Sequence, residues 1–222
     1  MLKKLKNTCV IVVSLLILAL LSGCANTPTS KSTSTEFSNK PHLAERNRSP
    51  EELWQTRLKF LETLHQWQMD GRIGVVNGKE GGQATFVWKQ KGDYYHIRFF
   101  GPFGAGALSI EGNAHQVSLQ EANGKIHYAK TPEELMARVA GWHVPLSEIR
   151  YWILGISDPK KHVHVKRFTP SGLLSQLNQS GWVIEFDHYK TSSSTSMPGK
   201  LNMINGDLKV KLMIKAWHFG ND

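Results

Sequence analysis

The stretch Leu208-Lys209-Val210-Lys211-Leu212-Met213-Ile214-Lys215-Ala216-Trp217 decides the fold class. Leu208, Val210, Leu212 and Ile214 recur at every second position, and Lys209, Lys211 and Lys215 take the positions between them. Side chains alternate across a strand, so this is the pattern of a strand with one face in an apolar core and one in water. The same period runs upstream. Met69, Gly71, Ile73 and Val75 alternate with Asp70 and Arg72; Ala84, Phe86 and Trp88 with Thr85, Val87 and Lys89; Tyr95, Ile97 and Phe99 with Tyr94, His96 and Arg98. Lys91-Gly92-Asp93 supplies a turn between the last two. Further short strands are predicted over 107–111, 115–120 and 125–129, and again over 162–168, 173–178, 182–188 and 200–204. With the closing strand the chain has about eleven.

Helical spacing breaks this pattern in three places. Ser49-Pro50-Glu51-Glu52 is a capping box with Pro in the first turn, and Leu53, Trp54, Leu58, Leu61 and Leu64 follow at helical intervals. Thr131-Pro132-Glu133-Glu134 repeats the signal ahead of Leu135, Met136 and Val139, and a further helix runs from Pro145 to Leu154 and stops at Gly155. The expected fold is therefore mainly β with helices: a strongly curved antiparallel sheet, or half-open barrel, whose mouth the helices cover. Phe86, Trp88, Tyr95, Phe99, Trp182 and Phe186 share the inward parity. Periodicity leaves two interiors open, a filled core or a cavity for an apolar ligand.

The chain has 222 residues, 27 Lys and Arg against 18 Asp and Glu, and 40% hydrophobic residues, the composition of a packed globular protein. Lys3, Lys4 and Lys6 precede an apolar run from Val10 to Leu21, the charged and hydrophobic regions of a secretory signal over residues 1–23. About a dozen apolar residues fall short of the roughly 20 that span a bilayer. Leu21-Ser22-Gly23-Cys24 is similar to a bacterial lipobox, which makes Cys24 the expected lipidation site. Removal of the first 23 of 222 residues leaves 199, still with a net positive charge. Several acyl chains on one residue anchor stably where one does not. Ala25 in place of Asp favours the outer membrane, with the domain facing the periplasm. Residues 24–48, rich in Ser, Thr, Asn and Lys, read as a lipidated N-terminus and flexible linker reaching roughly 25 Å, and 49–222 as the folded domain.

Catalytic signatures are missing from the sequence: no Gly-x-Ser-x-Gly, no His-Glu-x-x-His and no phosphate loop, so neither enzyme activity nor a cofactor is expected. Cys9 and Cys24 both precede the body and leave it no thiol ligands. His162 and His164 share a strand face without a third ligand, and no metal is assigned. Glu133 and Glu134 are explained by helix capping, and Arg150 is read as a solvated helix residue that is also placed to pair at a lid. Export makes nucleic acid an unsuitable partner for the basic charge, which suits anionic lipid or an acidic protein instead. In Phe99-Phe100-Gly101-Pro102-Phe103-Gly104 an apolar Phe103 sits at the tip of a Gly/Pro loop, either folded back on the core or exposed to a bilayer.

Taken together, the lipobox, the helix and meander, Gly101-Pro102-Phe103-Gly104, Ile149-Arg150-Tyr151-Trp152-Ile153-Leu154-Gly155, Met197-Pro198 and the Lys-rich last strand resemble the family of the outer-membrane lipoprotein LolB. The resemblance spans about Glu51 to Trp217. It implies a receptor that accepts lipoproteins from the periplasmic carrier LolA, holds their acyl chains in a hydrophobic cavity under a helical lid, and inserts them into the inner leaflet of the outer membrane. The implied lining is Ile73, Phe86, Trp88, Ile97, Phe99, Trp152, Trp182, Ile184 and Leu212, and the implied membrane-insertion loop is Gly101, Pro102, Phe103 and Gly104, with Phe103 where the family typically has Leu. The implied partners are the carrier, lipoprotein acyl chains and outer-membrane phospholipids, and the chain is expected to be a monomer. The alternatives are an envelope lipoprotein scaffold with a filled core or a lipid-modifying enzyme with a polar cleft.

Overall fold

A computed structural model describes residues 48–101, 107–192 and 195–220. Its strands are β1 (Gln66–Asn77), β2 (Glu80–Lys91), β3 (Tyr94–Phe100), β4 (Ala107–Gly112), β5 (Val117–Gln120) and β6 (Ile126–Ala129), followed after two helices by β7 (Val163–Phe168), β8 (Leu174–Gln179), β9 (Trp182–Asp187), β10 (Lys190–Ser192), β11 (Thr195–Met197), β12 (Lys200–Asn205) and β13 (Leu208–Phe219). Helix α1 is Pro50–Leu61, α2 is Pro132–Ala140 and α3 is Leu146–Trp152. Eleven strands form one antiparallel sheet in the order β6-β5-β4-β3-β2-β1-β13-β12-β9-β8-β7. β6 and β7 do not pair with each other, so the curved sheet stays an open half-barrel. The fold expected from the alternation is the fold observed.

The first and last strands meet at the middle of the sheet, where β13 is hydrogen-bonded to both β1 and β12. In β13, Leu208, Val210, Leu212 and Ile214 are buried and Lys209, Lys211, Met213 and Lys215 are exposed. Strict alternation would then send Trp217 outward, yet Trp217 is buried. The cause is a bulge: Asp70 pairs with Ala216 but Gly71 pairs with Ile214, which leaves Lys215 as the extra residue and reverses the parity beyond it. Gly71 is needed there, because a Cβ on it would lie 2.2 Å from the Met213 carbonyl oxygen. The reversed Trp217 packs its ring 5.6 Å from Trp67, and its indole N–H donates to the Pro198 carbonyl at 3.2 Å.

Helix α1 opens with a complete capping box: Ser49 Oγ accepts from the Glu52 amide at 3.2 Å, and Glu52 Oε2 accepts from the Ser49 amide at 2.7 Å. Trp54 and Leu61 bury its apolar face, each contributing about 1.5–3 kcal/mol. The Trp54 ring lies 5.5 Å from Phe168 and takes the Lys166 ammonium 4.1 Å above its face. Arg57 Nη1 donates to Thr195 Oγ1 at 2.9 Å and so ties α1 to the β10–β11 hairpin. That hairpin was not expected, because its three-residue strands lie in a Ser/Thr run without apolar alternation.

Candidate functional site

An apolar cavity of about 310 Å³ lies between the inner face of the sheet and the segment from α2 to α3. β1 contributes Met69, Ile73 and Val75, and β2 contributes Ala84, Phe86 and Trp88. Ile97 and Phe99 of β3, Leu108 and Ile110 of β4 and Leu119 of β5 continue the wall, and Met203, Val210 and Leu212 enter from β12 and β13. Met136 and Val139 of α2, Trp142 and Val144 of the connection, and Leu146 and Ile149 of α3 cover it. No ionisable side chain lines it among the described residues, and Gln83 is the one polar side chain. Gly82 and Gln83 are exposed, so the cavity reaches the surface near the β1–β2 turn.

The cover is fastened by polar contacts outside the cavity. Thr131 Oγ1 accepts from the Glu134 amide at 3.2 Å and caps α2. α3 begins at Pro145 without a side-chain cap of its own, and Glu133 Oε1 accepts from the Ser147 amide at 2.9 Å in its place. Glu133 and Glu134 thus serve helix ends, as their place in the first turn implies. Arg150 of α3 reaches Asp93 in the β2–β3 turn at 3.6 Å and donates to the Tyr151 hydroxyl at 2.9 Å. Tyr95 packs over Gly112, where a Cβ would lie 2.4 Å from the phenol oxygen. Burial first, and the Glu133 carboxylate second, push the Tyr95 phenol up to about 12.

Six residues of the expected lining are brought together at the cavity: Ile73, Phe86, Trp88, Ile97, Phe99 and Leu212. Trp152, Trp182 and Ile184, which the resemblance also implied, are not part of this lining. Trp152 sits at the end of α3, its indole donates to Gln179 Oε1 at 2.9 Å, and its ring lies 6.2 Å from Trp182. Ile184 is fully buried on β9 between Leu177 and Met203. Trp182 and Ile184 have the inward parity on β9 and Trp152 is buried at the end of its helix, but neither signal says which part of the interior is filled. The residues missed on β4, β5 and α2 carried a readable signal, since Leu108 and Ile110 alternate with polar neighbours and Met136 and Val139 are three apart on one helix face. Trp142 and Val144 lie in a short connection with no such period.

Other expectations fall elsewhere. Pro102, Phe103 and Gly104 of the expected insertion loop, and Cys24 with the leader and the linker up to residue 47, lie outside the described residues; Gly101 is half-buried just after β3. His162 and His164 are exposed with ring centroids 4.8 Å apart, and no group of three or more possible metal ligands occurs among the described residues. A second recess of about 410 Å³, lined by Leu61, Trp67 and Leu154 together with Glu62, Asp93 and Arg150, mixes charges of both signs and is a poorer place for an apolar ligand. No helix among the described residues is long and apolar enough to cross a membrane.

Residues 65–217 match the family model for the outer membrane lipoprotein LolB. An outer-membrane lipoprotein LolB of Cellvibrio japonicus is 32% identical over 181 residues, covering 80% of this chain and 89% of that protein. One from Pseudomonas aeruginosa PAO1 is 33% identical over 200 residues, covering 90% and 91%. Among solved structures, a putative outer membrane lipoprotein-sorting protein domain from Vibrio parahaemolyticus aligns with TM-score 0.53 at 10% identity, over 78% of this chain and 92% of that one. A LolA superfamily protein from Nitrosomonas europaea aligns with TM-score 0.50 at 7% identity, over 79% and 95%. These structural likenesses concern the fold alone.

Proposed function

The chain belongs to the LolB family of outer-membrane lipoproteins, and from that premise we propose that its cavity holds the acyl chains of lipoproteins in transit to the outer membrane. The observation that carries this reading is a walled space of about 310 Å³ with no ionisable side chain in its lining. Carrying acyl chains through water exposes methylenes at about 0.8 kcal/mol each, so a transfer protein must offer an apolar space and has no need of covalent chemistry. In this reading the cargo comes from a LolA-like periplasmic carrier. It moves downhill if the cavity binds acyl chains more tightly than the carrier does and less tightly than the bilayer does, so neither a nucleotide nor a cofactor is required.

Cys24 is the proposed anchor in the outer membrane, and the loop Gly101-Pro102-Phe103-Gly104 is the proposed point of entry into its inner leaflet, with the chain working as a monomer. Charge at a loop that must enter the acyl region is expensive. Transfer of a labelled lipoprotein from loaded carrier to this chain, and from there to liposomes, tests the reading in two steps. Phe103→Asp is expected to accept cargo normally and to deliver at least tenfold more slowly than Phe103→Leu. Failure of the unsubstituted chain to take cargo from the carrier would overturn the proposal, and equal delivery by both variants would remove Phe103 from it.

A further inference from the structure

The outer face of the sheet centre carries a second feature, directly behind the cavity wall. Lys209 lies between Ile204 of β12 and Val76 of β1 in the strand register, Lys211 between Asn202 and Gly74, and Met213 between Lys200 and Arg72. Side chains at such positions lie about 5 Å apart on one face. Val76, Ile204 and Met213 are 47%, 38% and 43% exposed, among the most exposed large apolar residues described. Each neighbours a residue of opposite parity that faces inward: Val75, Met203 and Leu212 line the cavity while Val76, Ile204 and Met213 face out.

At the centre of this face, over β1 and β13, the free charge is positive, and the unpaired carboxylates stand at its border. Asp187 is engaged by Lys200 at 3.2 Å, and Asp70 lies 3.4 Å from His218. Glu185 on β9 and Glu80 and Asp207 at the turns border the face. Arg72, Lys209, Lys211 and Lys215 have no carboxylate oxygen within 4 Å among the described residues. The combination suits a surface that is itself anionic at the headgroup and apolar just beneath it.

We propose that this outer face, Arg72, Lys209 and Lys211 with Val76, Ile204 and Met213, docks on anionic phospholipid headgroups. The inference rests on the reading of the chain as one that delivers lipids to a membrane, and it adds the orientation: the back of the cavity wall lies against the bilayer surface while the cavity opens at the nearby β1–β2 end. Each cation near a charged bilayer contributes about a fivefold gain in binding, so three together supply roughly a hundredfold.

The test uses the full mature chain with Cys24→Ala, so that no acyl anchor contributes, and co-sedimentation with two kinds of vesicle: phosphatidylcholine alone, and phosphatidylcholine with a third of phosphatidylglycerol. The unsubstituted face is expected to bind the anionic vesicles at least tenfold more tightly and to lose that preference in high salt. Arg72→Gln/Lys209→Gln/Lys211→Gln is expected to weaken anionic-vesicle binding by roughly a hundredfold, and Arg72→Lys/Lys209→Arg/Lys211→Arg to retain it. Titration with a fluorescent fatty-acid analogue runs in parallel and should be the same for all three chains, so failure of the cavity reading would appear there and not in the vesicle data. Equal binding of both vesicle types, binding of neither, or an unaffected Gln variant would overturn the proposal. So would a Gln variant that loses affinity only for the carrier protein, because the face would then serve a protein.

Discussion

Two parts of one sheet are built from the same kind of strand and end up differently: the interior against β7, β8 and β9 is filled, and the interior against β1 to β5 is hollow. The difference is where the polar fastening sits, inside the filled part and at the rim of the hollow one. In the filled part Gln179 is fully buried, its Oε1 accepts from the Trp152 indole at 2.9 Å and the Asp158 amide at 3.0 Å, and its Nε2 donates to the carbonyls of Asp158 at 2.9 Å and Lys161 at 3.0 Å. All of its hydrogen-bonding capacity is met, and it holds α3 and the chain after it tightly against β8. Over the hollow part the polar ties lie at the rim, where Arg150 reaches Asp93 and Arg138 donates to the Tyr128 carbonyl, and Met136, Val139 and Ile149 face the strands with no ionisable group among the lining. A satisfied buried polar group specifies one arrangement, whereas apolar walls alone tolerate a gap or a guest.

Gln179→Leu is the strongest way to break this comparison. It leaves the Trp152 indole and the Asp158 amide unpaired in the interior and should cost about 4 kcal/mol in urea unfolding, while a fatty-acid analogue still binds the folded fraction. A loss below about 1 kcal/mol would mean that Gln179 does not fasten the filled part. Trp88→Glu strikes the other region. It places a carboxylate in the cavity wall, removes the indole donor to Gln90 Oε1 at 3.1 Å, and should lower stability by about 3 kcal/mol. Its larger signature is at least a tenfold loss of acyl-probe affinity at a temperature where both proteins are folded, and an unchanged affinity would place the probe elsewhere.

Ile184→Phe adds volume to the filled part and is expected to cost about 2 kcal/mol with probe affinity unchanged. A selective loss of probe binding would restore Ile184 to the lining. The smallest expected effect is that of Thr131→Ala, which removes the cap of α2 at a cost of about 1 kcal/mol. Hydrogen exchange should rise in α2 and not in α1, whose capping box at Ser49 and Glu52 is intact.

Much of this was legible in the sequence because strand parity is a local property. Period-two alternation placed Ile73, Phe86, Trp88, Ile97, Phe99 and Leu212 on the inner face, and the two Pro-Glu-Glu caps placed α1 and α2. Three things were not local. Trp217 turns inward only because β13 carries a bulge opposite Gly71, which depends on its pairing with β1. Trp182 and Ile184 have the inward parity of a cavity residue and Trp152 is a buried helix residue, but all three sit in the filled part because Gln179, distant from Trp152 in sequence, draws α3 onto β8. The β10–β11 hairpin is held by Arg57 from α1, so its Ser/Thr strands carry no apolar signal of their own.

The central claim is that the hollow exists to be occupied by an acyl chain, and Ala84→Phe tests it most directly. Ala84 is half-buried in the cavity wall beside Phe86, and a ring there fills space that ligand would otherwise take. Titration of both proteins with a fluorescent long-chain fatty-acid analogue should give saturable binding to the unsubstituted chain and at least tenfold weaker binding to Ala84→Phe, with thermal stability equal or higher because a gap has been filled. Absence of saturable binding to the unsubstituted chain, or equal affinity in a folded Ala84→Phe, would contradict the account.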